Sequence, residues 1–120
     1  MKYACLVYYR EAEIGQMSPS DWHALNLRCV AFGKQITASG HRLGGGALEP
    51  TSTATTVRVR NGKVTATDGP FAETKEQLAG FYLIDAKDLD EAIEVASRIP
   101  PAQLGSIEIR PVRELPRPPE

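Results

Sequence analysis

Positions 68 to 76 read Asp-Gly-Pro-Phe-Ala-Glu-Thr-Lys-Glu, placing three carboxylates and one ammonium around a rigid Gly-Pro turn and a single Phe. A carboxylate beside a cavity can act as a general base or orient a substrate hydroxyl, provided burial or a neighbour positions it. Asp68 is therefore the candidate catalytic group. Gly69, Pro70, Phe71, Glu73 and Lys75 are candidates for the wall of a ligand site, and Arg58 and Arg110 for a clamp on a small anion. The two imidazoles, His23 and His41, complete the set of residues able to move a proton near neutral pH. Each has a plainer reading. Asp68 can cap its own turn. Phe71 can plug the core or a partner subunit. Residues 73 to 76 can form one solvated helical turn, and the arginines can pair with nearby carboxylates. The histidines lie far apart and no Cys/His cluster exists, so neither a metal nor another cofactor is expected.

The elements that must position these groups follow from patterning. Tyr3 to Tyr9 is nearly all apolar, as in a strand covered on both faces. Ser18-Pro19-Ser20-Asp21 predicts a helix start, with Ser18 as N-cap and Asp21 closing a capping box. Trp22, Leu25, Cys29, Phe32 and Ile36 then form one stripe, and Ser39-Gly40 ends the helix. His23 lies roughly opposite that stripe and faces solvent. His41 to Leu48 reads as a short strand whose Gly44, Gly45 and Gly46 let a backbone or ligand approach. Asn61-Gly62 predicts a two-residue turn joining 55–60 to 63–67. Pairing 60 with 63 puts Val57, Val59, Val64 and Ala66 on one face, expected buried, and Arg58, Arg60 and Lys63 on the other. Gly80 to Asp85 is a second doubly apolar strand. Asp88 and Glu91 start a helix whose expected buried stripe is Leu89, Ala92, Ile93, Ala96 and Ile99, with an outward Glu94–Arg98 pair. Ser106 to Val112 alternates as a last strand.

Residues 1–113 thus form one domain and 114–120 a Pro-rich tail. The order of elements is the split β-α-β pattern of an α+β, ferredoxin-like sandwich with an inserted hairpin. Both helices cover one face of such a sheet, and the other keeps apolar side chains. A second copy is the expected cover, giving a homodimer packed sheet to sheet.

The 120 residues carry 14 basic and 15 acidic side chains, a net charge of −1. No global basic field is present to hold nucleic acid directly, and no apolar run reaches the length of a membrane span. Two cysteines without ligand spacing fit a reducing cytoplasm.

The run Thr67 to Glu76 followed by Gly80-Phe81-Tyr82 resembles the signature of the YCII-related family, in its DGPF-domain branch. The N-terminal MKYACLVYY, Leu43-Gly44-Gly45, Ala54 to Arg58, the helix start at Asp88 and Ile107 to Val112 resemble it in the same order. The resemblance implies a ferredoxin-like fold dimerised through its sheets, as in dimeric α/β barrels. It also implies two kinds of role. Distant YCII-related members resemble enzymes with a proposed His-Asp dyad acting on chlorinated aromatic compounds, their His lying on the first helix, where this chain has only the solvent-facing His23. DGPF-branch members are often encoded beside, or fused to, extracytoplasmic-function sigma factors. The leading expectation is a cytosolic, ligand-binding or regulatory homodimer associated with such a system. The alternative is a cofactor-independent enzyme for a small polar or aromatic metabolite, with Asp68 as base or orienter.

Overall fold

A computed structural model of the chain describes residues 1–119; residue 120, the last of the expected tail, lies outside them. Six strands and three α-helices follow in the order β1 (Lys2–Tyr9), α1 (Glu11–Ile14), α2 (Pro19–Ala38), β2 (Arg42–Ala47), β3 (Thr55–Arg60), β4 (Lys63–Asp68), β5 (Gln77–Asp85), α3 (Leu89–Ser97) and β6 (Ser106–Pro111). Short 3-10 turns lie at Thr51–Thr53 and Pro100–Gln103. Four strands form an antiparallel sheet in the order β2-β5-β1-β6, and β3-β4 form a sheet of their own. The two doubly apolar strands are the central pair. This mixed α+β arrangement is compatible with the ferredoxin-like expectation.

Both long helices start as their sequences dictate. Ser18 Oγ accepts from the Asp21 N–H at 3.2 Å, with Pro19 at the first helical position. Asp88 Oδ1 accepts from the Glu91 N–H at 2.9 Å. Each cap satisfies an otherwise orphaned donor, a contribution of about 1 kcal/mol. Gly40, at φ +81°, takes the chain out of α2 in a conformation that Cβ-bearing residues avoid. The four-residue α1 has no counterpart among the sequence expectations.

One face of the large sheet holds the core. Tyr3, Cys5 and Val7 of β1 and Ile84 of β5 are buried against Phe32 and Ile36 of α2 and Ala92, Val95 and Ala96 of α3, with Ile99 beyond it. Phe32 meets Tyr82 edge-to-face at 5.2 Å between centroids. The α3 stripe differs from expectation. Val95 is buried, whereas Leu89 and Ile93 are about half exposed. The helix is therefore rotated so that Ala92, Val95 and Ala96 face the sheet, small side chains that allow close approach. The expected Glu94–Arg98 pair forms at 3.0 Å. Trp22, expected on the buried stripe of α2, is 42% exposed.

The opposite face carries Ala4, Leu6 and Tyr8 of β1 and Leu78, Phe81 and Leu83 of β5, set by alternation and by the register Leu6↔Phe81 and Ala4↔Leu83. Phe81 is 40% exposed and Leu78 36%. At the β2 edge, Gly45 sits at φ +150°, and a Cβ built on it would lie 2.5 Å from the Phe81 carbonyl oxygen. Gly45 thus serves a close backbone approach, whereas a Cβ on Gly44 would meet open space and one on Gly46 only an ordinary contact with the Phe81 ring.

The β3-β4 hairpin has the expected register throughout: Arg60↔Lys63, Val59↔Val64, Val57↔Ala66, Arg58↔Thr65 and Thr56↔Thr67. Asn61 and Gly62 both have positive φ, 54° and 75°, as a type I′ turn requires. The burial expected for its apolar face is absent, however, because among the described residues no other element lies over it. Val57, Val59 and Val64 are 61%, 55% and 65% exposed. The radius of gyration is 16.7 Å, against about 14 Å for a compact chain of this length. The exposed hairpin and the exposed segment 112–119, which forms no helix or strand, are both in keeping with that excess.

Candidate functional site

A cavity of ≈ 730 Å³ opens between the N-terminal half of α2 and the helix-covered face of the sheet. Val7 and Tyr9 of β1, Gly80 and Tyr82 of β5, and Ala47 at the end of β2 line it from the sheet. Trp22, Leu25, Asn26 and Cys29, spaced three and four apart on α2, line it from the helix. Residues 48–50 form a further wall. That segment is tied down by Glu11, whose Oε1 accepts from the Thr51 N–H at 2.9 Å and whose Oε2 accepts from the Thr51 hydroxyl at 2.8 Å. The Glu11 N–H in turn donates to Gln77 Oε1 at 2.9 Å. The short α1 thus anchors a cavity wall through its first residue.

Glu11 and Glu49 are among the lining residues, and beside them the two phenols and the thiol keep their protons. Burial pushes the Tyr82 phenol above its ordinary range, nearby Cys29 adds to that, and Arg42 pulls the other way. Burial likewise raises Tyr9, helped by the Glu11 carboxylate and by Cys29. Burial raises the Cys29 thiol, with Arg28 opposing. At neutral pH the cavity therefore presents two phenols and a thiol as hydrogen-bonding groups, and Cys29 lacks the thiolate character of a nucleophile. Volume, apolar lining and a few polar groups are those of a small-molecule site.

The charged motif lies elsewhere. None of Asp68, Gly69, Pro70, Phe71, Glu73, Lys75, Arg58 or Arg110 lines the cavity. Asp68 is the last residue of β4 and exposed, and its side chain makes no hydrogen bond or ion pair among the described residues. The turn is held instead by backbone: the Gly69 N–H donates to Ala54 O at 2.7 Å, and Thr56 Oγ1 donates to Gly69 O at 2.8 Å. Gly69, at φ +99°, supplies the left-handed turn. Phe71 is 77% exposed and plugs no part of its own chain. The one-turn helix expected over 73–76 does not form. Those residues make an irregular bend, in which Glu76 Oε1 accepts from the Ser106 hydroxyl at 2.8 Å and ties the loop to β6. Arg110 pairs with its strand neighbour Glu108 at 3.2 Å, and Arg58 stays exposed on the hairpin.

The histidines are equally separate. His23 is exposed on α2, as its position on the helix implied. His41 bridges elements: Nδ1 lies 2.7 Å from the Ser39 hydroxyl and Nε2 lies 3.1 Å from Glu91 Oε1. It thereby joins the end of α2 to the start of α3, a structural bridge.

Patterning places the cavity residues Tyr9, Trp22, Cys29 and Tyr82 on strands and on the apolar stripe of α2 and assigns them no role at a site. One signal was available. Asn26 interrupts the apolar stripe between Trp22 and Cys29, marking a helix face that meets something other than dry core.

A family model described as the YCII-related domain matches residues 1–116. An uncharacterized protein of Rhizobium meliloti (strain 1021) is 41% identical over 115 residues, covering 93% of this chain and 92% of its own. The chain belongs to the YCII-related family. Among the described residues no helix is long and apolar enough to cross a membrane.

Proposed function

We propose that this YCII-related chain is a ligand-binding protein that takes up a small, predominantly apolar molecule in the cleft between α2 and the sheet. One observation carries the reading: the ≈ 730 Å³ cavity, walled by apolar side chains and furnished with Tyr9, Tyr82 and Cys29. An enzyme built on Asp68 has less support, because an exposed carboxylate with no hydrogen-bonding neighbour lacks the positioning a base needs. A regulatory role beside a sigma-factor system rests on the resemblance of the Asp68–Glu76 run to the DGPF branch.

The binding unit is a homodimer of the dimeric α/β-barrel type. Leu78 and Phe81 on the uncovered sheet face, together with the bare valines of the hairpin and Phe71, supply apolar surface for a second copy. A typical interface of ~800 Å² per partner would be well served by such side chains. Sedimentation at micromolar concentration is expected to give twice 13.1 kDa; a species of monomer mass alone refutes this assembly.

Binding is testable with the uncharged dye Nile red, whose emission rises in apolar surroundings. Saturable enhancement is expected for the wild-type chain. It should be lost in Cys29→Phe, which fills the cavity from α2. Equal enhancement by a folded Cys29→Phe variant, or no saturable binding at all, removes the cavity as the site.

A further inference from the structure

Resting on the ligand-binding reading above, we infer that the cavity selects a cationic amphiphile, a protonated amine carried on an aromatic or aliphatic body, with Glu49 as its counter-charge. The lining is one-sided in charge. Glu11 and Glu49 are its carboxylates, and no Lys or Arg stands in the wall. Both Glu11 oxygens are occupied by Thr51, yet its field extends inward, since it adds to burial in holding the Tyr9 phenol protonated. Glu49 is different. It is exposed and engaged in no ion pair among the described residues, so its carboxylate is free to meet a ligand.

The π faces complete the recognition chemistry. Tyr9, Trp22 and Tyr82 line the same space, and cations are attracted to aromatic faces. An anion entering here would meet two carboxylates in the wall, while Arg42 and Arg28 act on Tyr82 and Cys29 only from outside the lining. A neutral molecule would gain the apolar contacts alone. An amine gains those contacts, the rings and Glu49 together.

Calorimetric titration of the full chain at low ionic strength with 1-naphthylmethylamine, 1-naphthylmethanol and 1-naphthoate separates these cases, because the probes match in size and differ in charge. The amine is expected to bind about tenfold tighter than the alcohol, roughly 1.4 kcal/mol, with naphthoate the weakest. In Glu49→Gln the amine should fall to within about twofold of the alcohol, both being measured on that variant. Equal affinities for amine and alcohol, a preference for naphthoate, or an amine preference that survives Glu49→Gln overturns the inference. In each of those outcomes the cavity reading survives on the alcohol's binding. If none of the three probes binds, both readings fall.

Discussion

β3 and β6 are written in the same alternating code and meet opposite fates. In β6, Ile107 and Ile109 alternate with Glu108 and Arg110, and the isoleucines pack against the core. In β3, Val57 and Val59 alternate with Arg58 and Arg60, and both valines stay more than half exposed. Alternation specifies which side chains share a face. Whether that face is covered depends on what the rest of the chain, or another chain, lays over it. Among the described residues the hairpin's apolar face is left uncovered, whereas that of β6 is packed.

The largest test of this contrast compares truncations on the two sides. Ile84→Ala in the core should cost about 2–5 kcal/mol of unfolding free energy, through lost burial and an unfilled cavity. Val59→Ala should cost less than about 0.5 kcal/mol in dilute, monomeric protein. If the hairpin valines pack against a second copy, Val59→Ala should instead weaken association, which sedimentation across a concentration series would register. Denaturant melts in which both variants lose equal stability as monomers would erase the distinction.

The next effect belongs to the core alone. Burial pushes the Cys5 thiol from 9.0 to about 11, so the folded chain keeps its proton where the unfolded chain has lost it. Between those values the unfolded state binds fewer protons, and stability falls as pH rises. The contribution is complete below pH 9 and declines by about 2–3 kcal/mol toward pH 11. Replacing Cys5 by Ala should flatten that part of the stability–pH curve; an unchanged slope assigns the alkaline loss to other groups. A smaller effect follows from the cap that sets the start of α3. Asp88→Ala should cost about 1 kcal/mol, read from the denaturation midpoint at constant slope.

The smallest effect lies at the end of the hairpin. Asp68→Asn should change stability by less than about 0.5 kcal/mol, since the carboxylate caps nothing among the described residues. A thermal midpoint several degrees lower would show that the side chain holds the turn after all.

The same contrast explains what could be read in advance. The hairpin register was legible because Asn61-Gly62 dictates the turn, and the turn dictates every pair that follows. The starts of α2 and α3 were legible because Ser18 and Asp88 act on backbone donors three residues away. The central position of β1 and β5 followed from their apolar runs. Burial on α3 was less legible. Leu89 and Ile93 belong to a plausible stripe, and only docking on the sheet selects Ala92, Val95 and Ala96 instead. The four residues of α1 are too few to show a period. The cavity was the least accessible, since its walls come from positions as distant as Val7 and Pro101 and no local pattern reports the gap between them. The Asp68–Glu76 run is dense in charge, yet none of its residues lines the ≈ 730 Å³ cavity.

The molecule measures 46 × 45 × 20 Å, a thin disc. A disc drags more solvent than a ball of equal mass, so the lone chain should diffuse slowly for its weight. Stacking two discs on their broad sides thickens the short axis while leaving the long ones nearly alone. The pair would then be rounder than either member, and its frictional ratio should fall on association.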